Sequence, residues 1–143
     1  MNYHNGTMEE KKIILIDDDP DHADLIAETL GMAGMENNIV IVHDGMQAID
    51  LFQDLGDKWN GEIQHKIRLV LLDLNLPKIS GMEILKFLKK NSKYNKIPVI
   101  VLSTSSDQKT IDEAYKSGAN NFVTKPLSYE DLFVELEVLK ECY

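Results

Sequence analysis

Three consecutive aspartates, Asp17, Asp18 and Asp19, close the apolar run IILI and are followed by Pro20. Asp73 closes a second run, IRLVLLD, with Asn75 two residues on. Ser103 and Thr104 follow the apolar residues of PVIVLS, and Lys125 and Pro126 follow NFVT. Carboxylates gathered in one crevice repel each other, and their pKa values rise unless a cation compensates. An all-oxygen donor set suits a hard divalent cation, Mg2+ or Mn2+. Mg2+ typically takes one or two carboxylates, several waters and a phosphate. Asp19 reads differently from its neighbours. Asp-Pro at a helix start is a cap followed by a first-turn residue, so Asp19 is expected to cap a helix while Asp17 and Asp18 face the crevice.

That chemistry requires elements that end at one edge. Short apolar runs at 13–16, 39–43, 67–73, 98–103 and 121–124 read as strands. They alternate with helical stretches at 20–32, 46–55, 82–90, 107–117 and 129–140. The strands are near-continuous apolar runs, as in a parallel sheet covered by helices on both faces. Five βα units predict an α/β, doubly wound, five-stranded sheet with right-handed connections. In such sheets ligands bind beyond the carboxyl ends of the strands. Asp17, Asp18, His43, Asp44, Asp73, Ser103, Thr104 and Lys125 all fall at those ends. Gly34, Gly45, Gly81 and Gly118 punctuate element ends. The segment GDKWNGEIQHK (56–66) shows no period and is expected to be a long connection, with Trp59 in it packing locally or meeting a partner.

Composition narrows the function. The 143-residue chain carries a net charge of −9, which argues against nucleic acid and against an anionic membrane. No apolar stretch approaches a membrane span, and MNYHNGTMEE lacks the apolar core of a signal peptide. Cys142 is the single cysteine, so no internal disulfide forms. A cytoplasmic protein is expected, with residues 1–9 as a flexible tail and 10–143 as one domain.

From about Lys11 to Lys140 the chain resembles the receiver domain of two-component response regulators. The resemblance rests on ILIDDDP, LVLLDLNLPKISG, IPVIVLSTSS and GANNFVTKP, in that order and each at an expected strand end. It implies the flavodoxin-like strand order 2-1-3-4-5. It implies Asp73 as phosphoacceptor, Asp18 as a direct metal ligand, Asp17 holding a metal-bound water, and the backbone carbonyl of Asn75 completing the set. Ser103 would be the switch hydroxyl, with Thr104 next to it. Lys125 would contact the phosphate through a cis Lys125–Pro126 bond, and Phe122 would be the mobile aromatic, or else plain core. A carboxylate is a competent nucleophile toward phosphorus, and phosphoryl transfer needs positioning and charge neutralisation above all.

The same resemblance implies a phosphoprotein rather than a turnover enzyme, dephosphorylating only slowly on its own. The sequence ends at Tyr143, just past the last helix, so a stand-alone receiver is expected. Its partners would be a histidine kinase, of the bacterial phytochrome type, and a downstream protein, with homodimerisation open. Two alternatives stand beside it. One is a pseudo-receiver that binds without phosphorylation. The other is a Mg2+-dependent phosphatase with an Asp nucleophile, although IDDDPDH lacks the D-x-D-x-T pattern of the haloacid-dehalogenase type. His4, His22, His43 and His65 show no metal-ligand spacing with cysteine and read as structural or surface residues.

Overall fold

A computed structural model describes residues 11–32, 34, 38–59, 62–105, 107–125 and 129–143. Five strands, β1 (Lys12–Ile16), β2 (Ile39–Val42), β3 (Ile67–Asp73), β4 (Val99–Ser103) and β5 (Asn121–Thr124), form one sheet in the order β2-β1-β3-β4-β5. All four pairings are parallel. The helices are α1 (Pro20–Met32), α2 (Gly45–Trp59), α3 (Ile63–Lys66), α4 (Gly81–Lys90), α5 (Gln108–Lys116) and α6 (Tyr129–Cys142). The fold class and strand order match the expectation.

Side-chain alternation along the strands builds two apolar layers. Ile13, Leu15, Leu69, Leu71, Ile100, Leu102 and Val123 pack with α1 and α6 through Ala23, Ile26, Leu30, Leu132 and Leu136. Ile14, Ile16, Val70, Leu72, Val99 and Val101 pack on the other face with Ala48 and Phe52 of α2 and Ile84, Leu85 and Leu88 of α4. Each such side chain contributes about 1.5–3 kcal/mol when fully buried. Both faces are therefore covered, which is why the strands carry so few polar residues.

Asp19 acts as expected: its Oδ1 accepts the Asp21 N–H at 3.0 Å and the His22 N–H at 3.4 Å. Several expected boundaries shift by a residue or two. β1 begins at Lys12, β2 stops at Val42, α2 and α4 each begin at their glycine, and α6 runs on to Cys142. The larger difference lies in 56–66. The expected long connection is largely helical: α2 continues through Trp59, and α3 occupies Ile63–Lys66. Buried Tyr94 explains the extension. Its hydroxyl donates to the Phe52 carbonyl at 3.1 Å, and it packs against Gly56, where an added Cβ would lie 2.9 Å from the Tyr94 oxygen. Gly56 is thus a helix-interior packing residue. Trp59 packs against the α2–α4 layer, with the Lys58 ammonium 5.5 Å from its ring centroid. The expected tail at 1–9 lies outside the described residues. Among the described residues no helix is long and apolar enough to cross a membrane.

Candidate phosphoryl-acceptor site

Register brings the site together. Ile16 of β1 lies beside Leu72 of β3, so the next residues, Asp17 and Asp73, are neighbours at the sheet's carboxyl edge. The pleat extends the series 13, 15 to 17 and the series 69, 71 to 73. Both carboxylates therefore follow the α1–α6 side of the sheet. Val123 lies on that side too, which sets Lys125 toward them. Asp17 and Asp73 are buried and Asp18 is exposed. One carboxylate oxygen from each of the three lies within 4.8 Å of the others.

The Lys125 ammonium donates to Asp73 Oδ2 at 2.8 Å and lies 3.5 Å from Asp17 Oδ2. Asp73 Oδ1 accepts the Asn75 N–H at 2.9 Å. Burial pushes the Asp73 carboxyl above the ordinary aspartate range, and the nearby Asp17 charge adds to the rise. The Lys125 ammonium and the Asn75 N–H hold it back. The three-carboxylate group fits a hard divalent cation. Its donors are all oxygen, and exposed Asp18 leaves one side open to the waters such an ion keeps.

The surrounding loops are fixed by local chemistry. Gly81 N donates to the Leu74 carbonyl at 3.2 Å, and a Cβ at Gly81 would meet the Asp73 carbonyl oxygen at 2.2 Å. Only glycine lets α4 start this close to the end of β3. A capping box then fixes the start of the helix: Glu83 N donates to Ser80 Oγ at 3.2 Å, and Ser80 N donates to Glu83 Oε1 at 3.4 Å. Lys78, in the same loop, has φ +65°.

Of the residues expected at the site, Asp17, Asp18, Asp73, Asn75 and Lys125 stand together. Ser103 ends β4, is buried, and its Oγ accepts the Ser105 N–H at 3.0 Å. Thr104 is exposed, and its Oγ1 accepts from the Asn75 side-chain amide at 3.1 Å, linking the β3 and β4 loops. Phe122 is half-buried against the α2–α4 layer. The cis bond expected at Lys125–Pro126 involves a residue outside the described ones. Asp44 is a helix cap, with its Oδ1 accepting the Gln47 N–H at 2.8 Å.

Two histidines read from sequence as structural or surface residues turn out to touch the site. His22 Nδ1 lies 3.2 Å from Asp17 Oδ2, and His43 Nδ1 lies 3.1 Å from the Asp17 carbonyl. The available signal was positional. His43 sits directly after β2, and His22 is three residues past a capping aspartate, on the first turn of a helix that starts at the site.

Clustered carboxylates, an ammonium hydrogen-bonded to buried Asp73 and hydroxyls on the next strand thus gather in one crevice at the carboxyl edge of a doubly wound sheet. The chain belongs to the response regulator receiver domain family, whose model matches residues 13–137. It is 36% identical over 129 residues to the probable methanogenesis regulatory protein FilR2 of Methanothrix harundinacea, covering 90% of this chain and 81% of that one. It is 34% identical over 123 residues to response regulator Rcp1 of Synechocystis sp., covering 86% of this chain and 82% of that one. Among solved structures, the phosphorylated cyanobacterial phytochrome response regulator RcpA superposes with a TM-score of 0.77 at 34% identity, covering 92% of both chains. The Mn2+-bound form of Rcp1 superposes with a TM-score of 0.76 at 32% identity, again covering 92% of both.

Proposed function

We propose that this protein is a single-domain, cytoplasmic response regulator that accepts a phosphoryl group on Asp73 from a histidine kinase. It then signals through a phosphorylation-dependent protein contact. The observation that carries this reading is the 2.8 Å contact between Lys125 Nζ and Asp73 Oδ2, set inside the three-carboxylate group. In the transfer, an Asp73 carboxylate oxygen forms the new P–O bond as the P–N bond of the kinase phosphohistidine breaks. The electron pair of that bond returns to the imidazole. Burial strips Asp73 of water, and Lys125 favours its ionised, nucleophilic form. Lys125 then binds a phosphoryl oxygen.

Asp17, Asp18, Asp73 and the Asn75 carbonyl would hold Mg2+ or Mn2+, consistent with the Mn2+-bound form of the relative Rcp1. The ion's chemical contribution is to offset charge on the phosphoryl oxygens. Ser103 offers a hydroxyl to the new phosphoryl group, and Phe122 turns into the space that hydroxyl leaves. Together they change the face made by α5, β5 and α6. The name of the relative RcpA supports a phytochrome-type kinase as the donor.

The test uses acetyl phosphate with Mg2+. Wild type should take up label stoichiometrically, and Asp73→Asn should stay folded and take up none. Labelling of Asp73→Asn at the wild-type rate would overturn the assignment, and multiple turnover of a phosphomonoester would point to a phosphatase.

A further inference from the structure

Asp17 is held at every polar atom. Its N–H donates to the Val42 carbonyl at 3.1 Å, and its carbonyl faces His43 Nδ1 at 3.1 Å. Its Oδ1 accepts the Asp19 N–H at 3.0 Å. Its Oδ2 faces His22 Nδ1 at 3.2 Å and the Lys125 ammonium at 3.5 Å. The His22 ring comes from the first turn of α1, directly after the Asp19 cap, and its side chain is 24% exposed against a fully buried partner. An ionised carboxylate only accepts, so the nitrogen facing it is the one that donates. His22 is not one of the oxygen donors grouped at the site. Among the described residues, its ring's hydrogen bond to the site is the one to Asp17.

We propose that His22 is a positioning residue for the divalent cation, orienting the Asp17 carboxylate by a hydrogen bond to Oδ2. The inference rests on the reading that Asp17, Asp18 and Asp73 hold such an ion. The Lys125 ammonium, 3.5 Å away, also draws on Oδ2. The imidazole occupies one lone pair and stops the carboxylate from swinging fully to the Lys125 ammonium. With Asp19 N on Oδ1 and His22 on Oδ2, the plane of the carboxylate is fixed before the ion arrives. Hydrogen-bond partners of metal-ligating carboxylates commonly carry about 10–100-fold of metal affinity.

Two substitutions separate the donor from the bulk of the ring. His22→Leu keeps an apolar side chain against α1 and removes the donor. His22→Asn places an amide N–H one bond from Cγ, where the imidazole carries Nδ1. Mg2+ and Mn2+ affinities are measured by calorimetric titration, beside melting temperatures in EDTA. Relative to wild type, His22→Leu should bind both ions about tenfold or more weakly. His22→Asn should recover most of that loss. A side chain with a merely structural role would lower the melting temperature in EDTA and leave affinity unchanged. Affinity in His22→Leu equal to wild type overturns the proposal, and so does His22→Asn binding as weakly as His22→Leu. Absence of binding by wild type itself would instead overturn the cation reading on which the proposal rests.

Discussion

As the proposed acceptor, Asp73 meets two conflicting demands: to be buried for selectivity and ionised for reaction. Because its carboxyl is raised by burial, the folded state binds that proton more tightly than the unfolded chain does. The sign follows. The fold bears no penalty below the unfolded pKa and loses stability as pH rises through the folded one. Asp73→Asn should therefore melt higher than wild type in EDTA at neutral pH, with the gain shrinking as pH falls into the ordinary aspartate range. Scanning calorimetry at neutral and acid pH checks this, and a gain that grows toward acid would contradict it. The Asn75–Thr104 hydrogen bond links the loops that follow β3 and β4. Hydrolysis of an acyl phosphate needs a water in line with phosphorus. The β-branched Thr104, tied to Asn75, is expected to obstruct that approach. Thr104→Ala should shorten the lifetime of the phosphorylated protein after the donor is removed, without moving the attachment site. Decay no faster than wild type would show that other side chains set the lifetime. At this scale the sequence displayed the acids and the lysine, because each closes an apolar run. It placed His43 at the same edge without showing its contact, and it concealed His22, whose ring partner is one atom of Asp17 and leaves no spacing pattern.

Elements hold these residues through close approaches that composition does not reveal. The nearest is Gly81, whose missing Cβ lets α4 begin against the Asp73 carbonyl. In Gly81→Ala the backbone of β3 or the start of α4 must shift, since the colliding atoms are backbone and cannot rotate away. That variant should lose several degrees of melting temperature and be phosphorylated more slowly, measured by thermal denaturation and by labelling from acetyl phosphate. Normal labelling with normal stability would mean the contact is slack. Ser80→Ala, which removes only the cap, should cost about 1 kcal/mol of stability and leave the acceptor strand in place. The strands were legible because burial on both faces makes each a continuous apolar run. The segment 56–66 was not legible. Its lack of period hides that Gly56 lies inside a helix, where Tyr94, 38 positions later, needs the space above it. Lys78 at φ +65° is another such case, since nothing in its side chain announces a left-handed backbone.

Over the whole molecule, stability and chemistry are separated along the sheet. Tyr94 joins Phe52 of α2 and Phe87 of α4, with ring centroids 5.8 and 5.5 Å away, and belongs to the segment before β4, far from the carboxyl edge. Tyr94→Phe keeps the rings and removes the hydrogen bond to Phe52. It should cost about 1 kcal/mol and leave phosphorylation at the wild-type rate. The groups proposed to act, by contrast, come from the ends of β1, β3, β4 and β5, so no single strand carries the site and the parallel order 2-1-3-4-5 assembles it. The most direct test of the central claim is to phosphorylate wild type with acetyl phosphate and Mg2+, trap the acyl phosphate by borohydride reduction, and sequence the peptides by mass spectrometry. The reduced residue should be Asp73 alone, in the peptide carrying LVLLDLNLPK. A trapped residue elsewhere, at Asp17 or Asp18 for instance, or no trapped aspartate despite stoichiometric labelling, would contradict the assignment of Asp73 as the acceptor.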